Sequence, residues 1–149
     1  VIELRDQFKL PGMRVLQFAF GEDESNHFLP HHYIANTVAY TGTHDNDTTV
    51  GWWDSISERD KSFVQRYLSC NGQSIQWDMM RALSKSVANV VIFPMQDVLG
   101  LPSNCRMNCP GQPEGNWEWR FVWSQIQPDF TDSLARLVAE NQRGGLTGE

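Results

Sequence analysis

The chain has 149 residues, 40% apolar and 20% charged, a balance that suits one folded domain with a real core and argues against disorder. Twelve basic residues against eighteen acidic leave a formal charge of −6, which disfavours a nucleic-acid backbone or an anionic membrane surface as partner. No apolar run approaches the roughly 20 residues that span a bilayer, no leader is read before Val1, and Cys70, Cys105 and Cys109 make neither a disulfide framework nor a four-ligand zinc set. Reduced thiols in a cytosol-like compartment, without a metal, are the expectation.

The opening VIELRDQFKL is in helical periodicity from its first residue, with Val1, Leu4 and Phe8 on one face and Ile2 beside them, and it lacks an initiating methionine. A piece of a longer protein is expected. Pro11 and Gly12 break the pattern, and MRVLQFAF at 13–20 is dense in β-formers, which predicts a buried strand. A polar loop over 21–35 carries Pro30 and three of the four histidines, and NTVAYT at 36–41 predicts a second short strand.

Ser55 and Glu58 form a capping-box signature for a helix to about Ser69, with Phe63 and Tyr67 on its inner side and Gly72 as its stop. A helix over 74–87 follows, with Trp77, Met80, Leu83 and Val87 at three- and four-residue spacing. VVIFPM at 90–95 predicts a third strand covered on both faces, with Pro94 near its end. The stretch 101–127 lacks clean periodicity, and its three tryptophans favour a functional loop. Thr131 is expected to cap a last helix through Gln142, which Gly144 and Gly145 stop.

Crossovers of this length predict α/β structure with parallel strands. Three strands make an incomplete sheet, so the expected architecture is the closing part of a (β/α)8 barrel, with residues 1–149 forming part of one domain. In such barrels chemistry gathers at the carboxyl ends of strands, and YTGTHDNDTTVGWW at 40–53 stands there after the second strand.

Several readings of that motif compete. His44, Asp45 and Asn46 could simply satisfy a turn, as Asp and Asn commonly do. A calcium loop, with Asp45, Asn46 and Asp47 offering alternating oxygens, fits poorly, because Thr49 and Val50 stand where an EF-hand needs an acid or asparagine and then a glycine. A serine hydrolase lacks its G-x-S-x-G elbow. Sugar chemistry accounts for more residue types at once, since pyranoses offer a hydroxyl rim to carboxylates and amides and apolar faces to aromatic rings. Trp52, Trp53, Trp117, Trp119 and Trp123 supply such rings, though several of them are expected to serve the core.

MRVLQFAF, HFLPHHY, YTGTHDNDTTVGWW, PMQDVLGL, RMNCPG and EGNWEWR occur in that order over most of the chain. Together they closely resemble the carboxyl-terminal part of the 4-alpha-glucanotransferases, the amylomaltases or disproportionating enzymes of glycoside hydrolase family 77. The resemblance implies a retaining transglycosylase acting on alpha-1,4-glucans, cytoplasmic or in a plant plastidial, needing no cofactor or metal. It implies that Asp45 is the third catalytic acid, a transition-state stabiliser, and that His44 touches the sugar at the cleavage point. Phe18 and Asn108 fall on motifs near the glucan groove.

Retaining transfer also needs a nucleophilic carboxylate and a proton donor about 5–5.5 Å apart. In the family both lie upstream of the point that corresponds to Val1, so this chain alone is expected to be inactive. A non-catalytic glucan-binding or interaction module is the alternative.

Overall fold

The computed structural model describes residues 2–21 and 24–144. Val1 and Gly145, named above for a helix face and a helix stop, lie outside the described residues. The chain begins with α1 (Ile2–Gln7), which buries none of its side chains; Leu4 and Phe8 are exposed. The strands β1 (Gly12–Val15), β2 (Thr37–Tyr40) and β3 (Val90–Ile92) form one parallel sheet in the order β1-β2-β3, with Val15 opposite Tyr40 and Tyr40 opposite Ile92.

The β-rich run at 13–20 is strand only to Val15 and then tightens into a 3-10 turn over Leu16–Ala19. Hydrogen bonding explains the change. Gln17 leaves the ladder to donate its N–H to the Thr41 carbonyl and its side-chain amide to the Asp47 carbonyl, at 3.2 and 2.9 Å. Apolar propensity marks burial here, and the turn buries Leu16 and Ala19 as a strand would.

Between Tyr40 and β3 lie α2 (Thr49–Ser55), α3 (Glu58–Leu68) and α4 (Ile75–Lys85). The short helix α2 is unforeseen by the periodicity. It starts because the Thr48 hydroxyl accepts from the Gly51 N–H, and the TVGWW stretch that follows is helical. The capping residue of α3 is Ser57, which accepts from the Asp60 N–H, rather than Ser55. On α4, Ile75, Met79 and Leu83 recur every four residues and pack with Ala39, Phe20, Phe63 and Val64 into the main core; Val87, placed on that face from the sequence, is exposed. Each such buried side chain contributes about 1.5–3 kcal/mol.

Met80, on the adjacent stripe of α4, meets Val98 and Leu137 in a second cluster that joins α5 (Met95–Val98) to α6 (Pro128–Glu140). Pro128 opens α6 at the position where a missing N–H costs nothing, while Thr131, expected to cap it, donates its hydroxyl to the Pro128 carbonyl. Past α6, Arg143 donates to the carbonyls of Ser84, Ala88, Ser86 and Leu83 at 2.6, 2.8, 2.7 and 3.3 Å, closing the carboxyl end of α4.

The helices cover one face of the sheet, where Thr37 and Ala39 are buried. The opposite face is open: Met13 is 52% exposed, Val90 45% and Ile92 43%. The expectation that β3 is covered on both faces is therefore not met within the described residues.

Candidate active site

Parallel strands send their carboxyl ends to the same side of a sheet, and the segments that leave β2 and β3 meet there. They bound a pocket of about 450 Å³ whose floor is Met13, Tyr40 and Ile92 and whose polar wall is the loop 42–48. Pro94, Gln96, Arg106, Met107 and Trp117 close the far side.

The loop is held by its own side chains. Asn46 Oδ1 accepts from the N–H and the hydroxyl of Thr43, at 2.9 and 2.8 Å. Gly42 lets the turn pass close to Gln17, whose amide nitrogen would stand 2.8 Å from any Cβ added there. Asp47 turns away from Asp45: its Oδ1 accepts from the Thr48 N–H and its Oδ2 from the Ser103 hydroxyl, both at 2.7 Å.

Asp45 projects from this frame with its side chain about half exposed. Asn108 donates to Asp45 Oδ1 at 2.6 Å, His44 Nε2 lies 3.3 Å from the same oxygen, and Arg106 donates to the Asp45 carbonyl at 3.0 Å. The His44 ring lies 5.0 Å from that of Trp117 at a 40° tilt. Trp117 itself has a left-handed backbone, φ 65°, and its N–H donates to the Met107 carbonyl at 2.7 Å. The arrangement gives a fixed carboxylate one oxygen of which is already engaged, an imidazole beside it and an indole wall, a set suited to a polar ligand with an apolar face.

Three of the four residues singled out from the sequence, His44, Asp45 and Asn108, are thus brought together across a gap of more than sixty positions. Phe18 is not among the residues that line the pocket; it lies on the 3-10 turn, half exposed, edge-on to Phe28 at 5.7 Å. Of the tryptophans, Trp52 and Trp53 pack against the core and Trp117 lines the pocket, while Trp119 and Trp123 flank Phe121 in a row with centroid spacings of 6.2 and 5.6 Å.

The sequence profile of the family described as 4-alpha-glucanotransferase, glycoside hydrolase 77, matches residues 1–125. The chain belongs to this family. It is 56% identical over 137 residues to a 4-alpha-glucanotransferase of Synechocystis sp., matching 91% of this chain and 27% of that one. It is 45% identical to the Thermus thermophilus 4-alpha-glucanotransferase, with 94% and 30% covered, and 50% identical to the chloroplastic/amyloplastic enzyme of Arabidopsis thaliana, with 92% and 24% covered. Among solved structures, an amylomaltase from Streptococcus agalactiae in complex with acarbose superposes with a TM-score of 0.92 at 31% identity, over 96% of this chain and 29% of that one. The chain therefore spans about a quarter to a third of the length of these relatives.

Two further residues hold the site together. Arg106 and Asp47, 3.9 Å apart, tie the loop bearing Asp45 to the segment bearing Asn108; the sequence reading gave Arg106 no role and weighed Asp47 only for the rejected calcium loop. Their signal was available: an arginine two positions before Asn108, and a second aspartate two after Asp45 in a stretch too short to need two solvated acids. Among the described residues no group of histidine, cysteine and acid side chains could hold a metal, and no helix is long and apolar enough to cross a membrane.

Proposed function

We propose that this chain is the carboxyl-terminal part of a retaining 4-alpha-glucanotransferase, that β1, β2 and β3 are the last three strands of a (β/α)8 barrel, and that Asp45 stabilises the transition state. The observation that carries the reading is the Asp45 carboxylate, fixed by Asn108 at 2.6 Å at the carboxyl side of a parallel sheet, in the wall of the pocket. The open sheet face bearing Met13, Val90 and Ile92 supports the barrel, because remaining strands would bury it.

Glycosyl transfer with retention passes through an oxocarbenium-like state twice, once as a nucleophilic carboxylate captures the sugar and once as an acceptor 4-hydroxyl displaces it. Both the nucleophile and the proton donor lie in parts of the family upstream of this chain. Asp45 faces the positive charge that develops on the ring. Its Oδ1 is occupied by Asn108 and His44, which leaves Oδ2 as the oxygen for sugar hydroxyls. Trp117 offers an apolar surface to a pyranose face, and His44 a polar contact at the cleavage point. The substrates on this reading are alpha-1,4-glucans, no cofactor is required, and the compartment is the cytoplasm or a plastid.

The test is steady-state kinetics of the full-length protein on maltotriose. Wild type should release glucose and longer oligosaccharides. Asp45→Asn keeps the shape and loses the charge, and turnover should fall by about 10²–10³ with little change in KM. His44→Ala should act more mildly. If Asp45→Asn retains more than about a tenth of wild-type turnover, Asp45 is not the stabiliser. Maltotriose binding without glucose release would instead favour a glucan-binding module.

A further inference from the structure

Asp97 is the one acid in the buried set of the described residues, with 1% of its surface exposed. A carboxylate carried into the interior is costly, and an apolar side chain of similar volume would fill the same space, so packing alone gives no reason for it. Its contacts supply one. The Thr41 hydroxyl donates to Asp97 Oδ2 at 2.5 Å, the Thr49 hydroxyl to the same oxygen at 2.8 Å, and the Thr49 N–H to Oδ1 at 2.7 Å.

Thr41 is the residue after β2 and Thr49 is the first of α2; both are fully buried. Between them runs the loop 42–48 with His44, Asp45 and Asp47. One carboxylate thus fastens both ends of the loop from below, while Asp97 does not itself line the pocket. Its neighbour Gln96 donates to the Cys105 carbonyl at 3.2 Å and so holds the segment that leads to Arg106 and Asn108. The short helix α5 thus holds both the loop that carries Asp45 and the segment that leads to Asn108.

We propose that Asp97 is a positioning residue: by pinning Thr41 and Thr49 it sets where Asp45 stands relative to Asn108 and the bound sugar. The proposal rests on the catalytic reading of Asp45 for its effect on turnover, though not for its effect on the loop. A carboxylate displaced by about 1 Å in a site of this kind loses on the order of 10²-fold in rate.

Two substitutions at Thr41 separate positioning from packing. Thr41→Val keeps the volume and removes the hydroxyl; Thr41→Ser keeps the hydroxyl and removes a methyl. In the full-length protein, Thr41→Val and Asp97→Ala should lower kcat on maltotriose by roughly 10–10²-fold with KM changed less than about threefold, and Thr41→Ser should stay within about threefold of wild type. Hydrogen exchange of peptides covering 42–49 should quicken by about tenfold or more in Thr41→Val, with little change over α3 and in Thr41→Ser. If Thr41→Ser is as damaging as Thr41→Val, or exchange of 42–49 is the same in both, Asp97 does not position the loop. If wild type transfers no glucan, the catalytic reading of Asp45 fails, and the exchange order alone decides the role of Asp97.

Discussion

Gly51 offers a test in which two well-measured effects oppose one another. It lies in α2, where alanine is ordinarily better than glycine by about 1 kcal/mol. Here a Cβ would stand 2.1 Å from Ser103 Oγ and 2.6 Å from Asp47 Oδ1, so those two side chains must separate. The bond that breaks is the hydroxyl donation from Ser103 to Asp47 Oδ2 at 2.7 Å, on a carboxylate only 20% exposed. Hydrogen bonds to a charged partner contribute about 1.5–3 kcal/mol, so after the helical gain Gly51→Ala should destabilise by about 0.5–2 kcal/mol. Urea unfolding of the full-length protein, alongside Ser103→Ala and the double variant, reads this directly. Since both single changes break one bond, their effects should not add. A Gly51→Ala protein more stable than wild type would refute the reasoning.

Burial raises the pKa of Asp97 above its ordinary 3.8, against the lowering pull of the Thr41 and Thr49 donors. The folded state then holds this proton more tightly than the unfolded one, so the group's stabilisation is full below about 3.8, falls as pH rises towards the folded value, and is flat above it. Melting of wild type minus Asp97→Asn should accordingly decline from about pH 4 upward and level off; a difference that grows with pH would contradict this. Arg143→Ala should cost about 1.5–3 kcal/mol by freeing the α4 carbonyls, Arg143→Lys should recover only part of it, and unchanged denaturation of Arg143→Ala would show the guanidinium contacts to be idle. The 149-residue chain alone should release no glucose from maltotriose and should self-associate through its open sheet face; a monodisperse monomer by sedimentation would tell against that.

The parallel order, the two long middle helices and the loop bearing His44 and Asp45 were legible because apolar periodicity and strand-end placement are local signals with global consequences. The resemblance to the family supplied Asn108, which no spacing rule connects to Asp45. What stayed hidden was decided by hydrogen bonds between distant positions. Leu16 to Ala19 read as strand because β-formers and a buried 3-10 turn share a composition; Gln17 turning towards Thr41 and Asp47 makes the difference. Asp97 was quoted within PMQDVLGL yet given no role. Its signal is an acid in an otherwise uncharged run, joined to a loop with more threonine hydroxyls than its own turn can satisfy.

Trp117 holds a bulky side chain on a backbone, φ 65°, that glycine adopts freely. Left-handed geometry at such a residue costs of the order of 1–3 kcal/mol, so the position is pulled two ways: the chain path would be relaxed by glycine, and the wall beside His44 requires the indole. Selection for heat resistance alone would therefore move in the wrong direction here. A screen scored by melting temperature should enrich glycine or asparagine at 117 while eroding the pocket, and a screen scored by transfer should restore tryptophan and give the stability back. Engineering this protein for heat resistance would go better by holding 117 fixed and seeking rigidity in the helix layer, away from the loops that line the pocket.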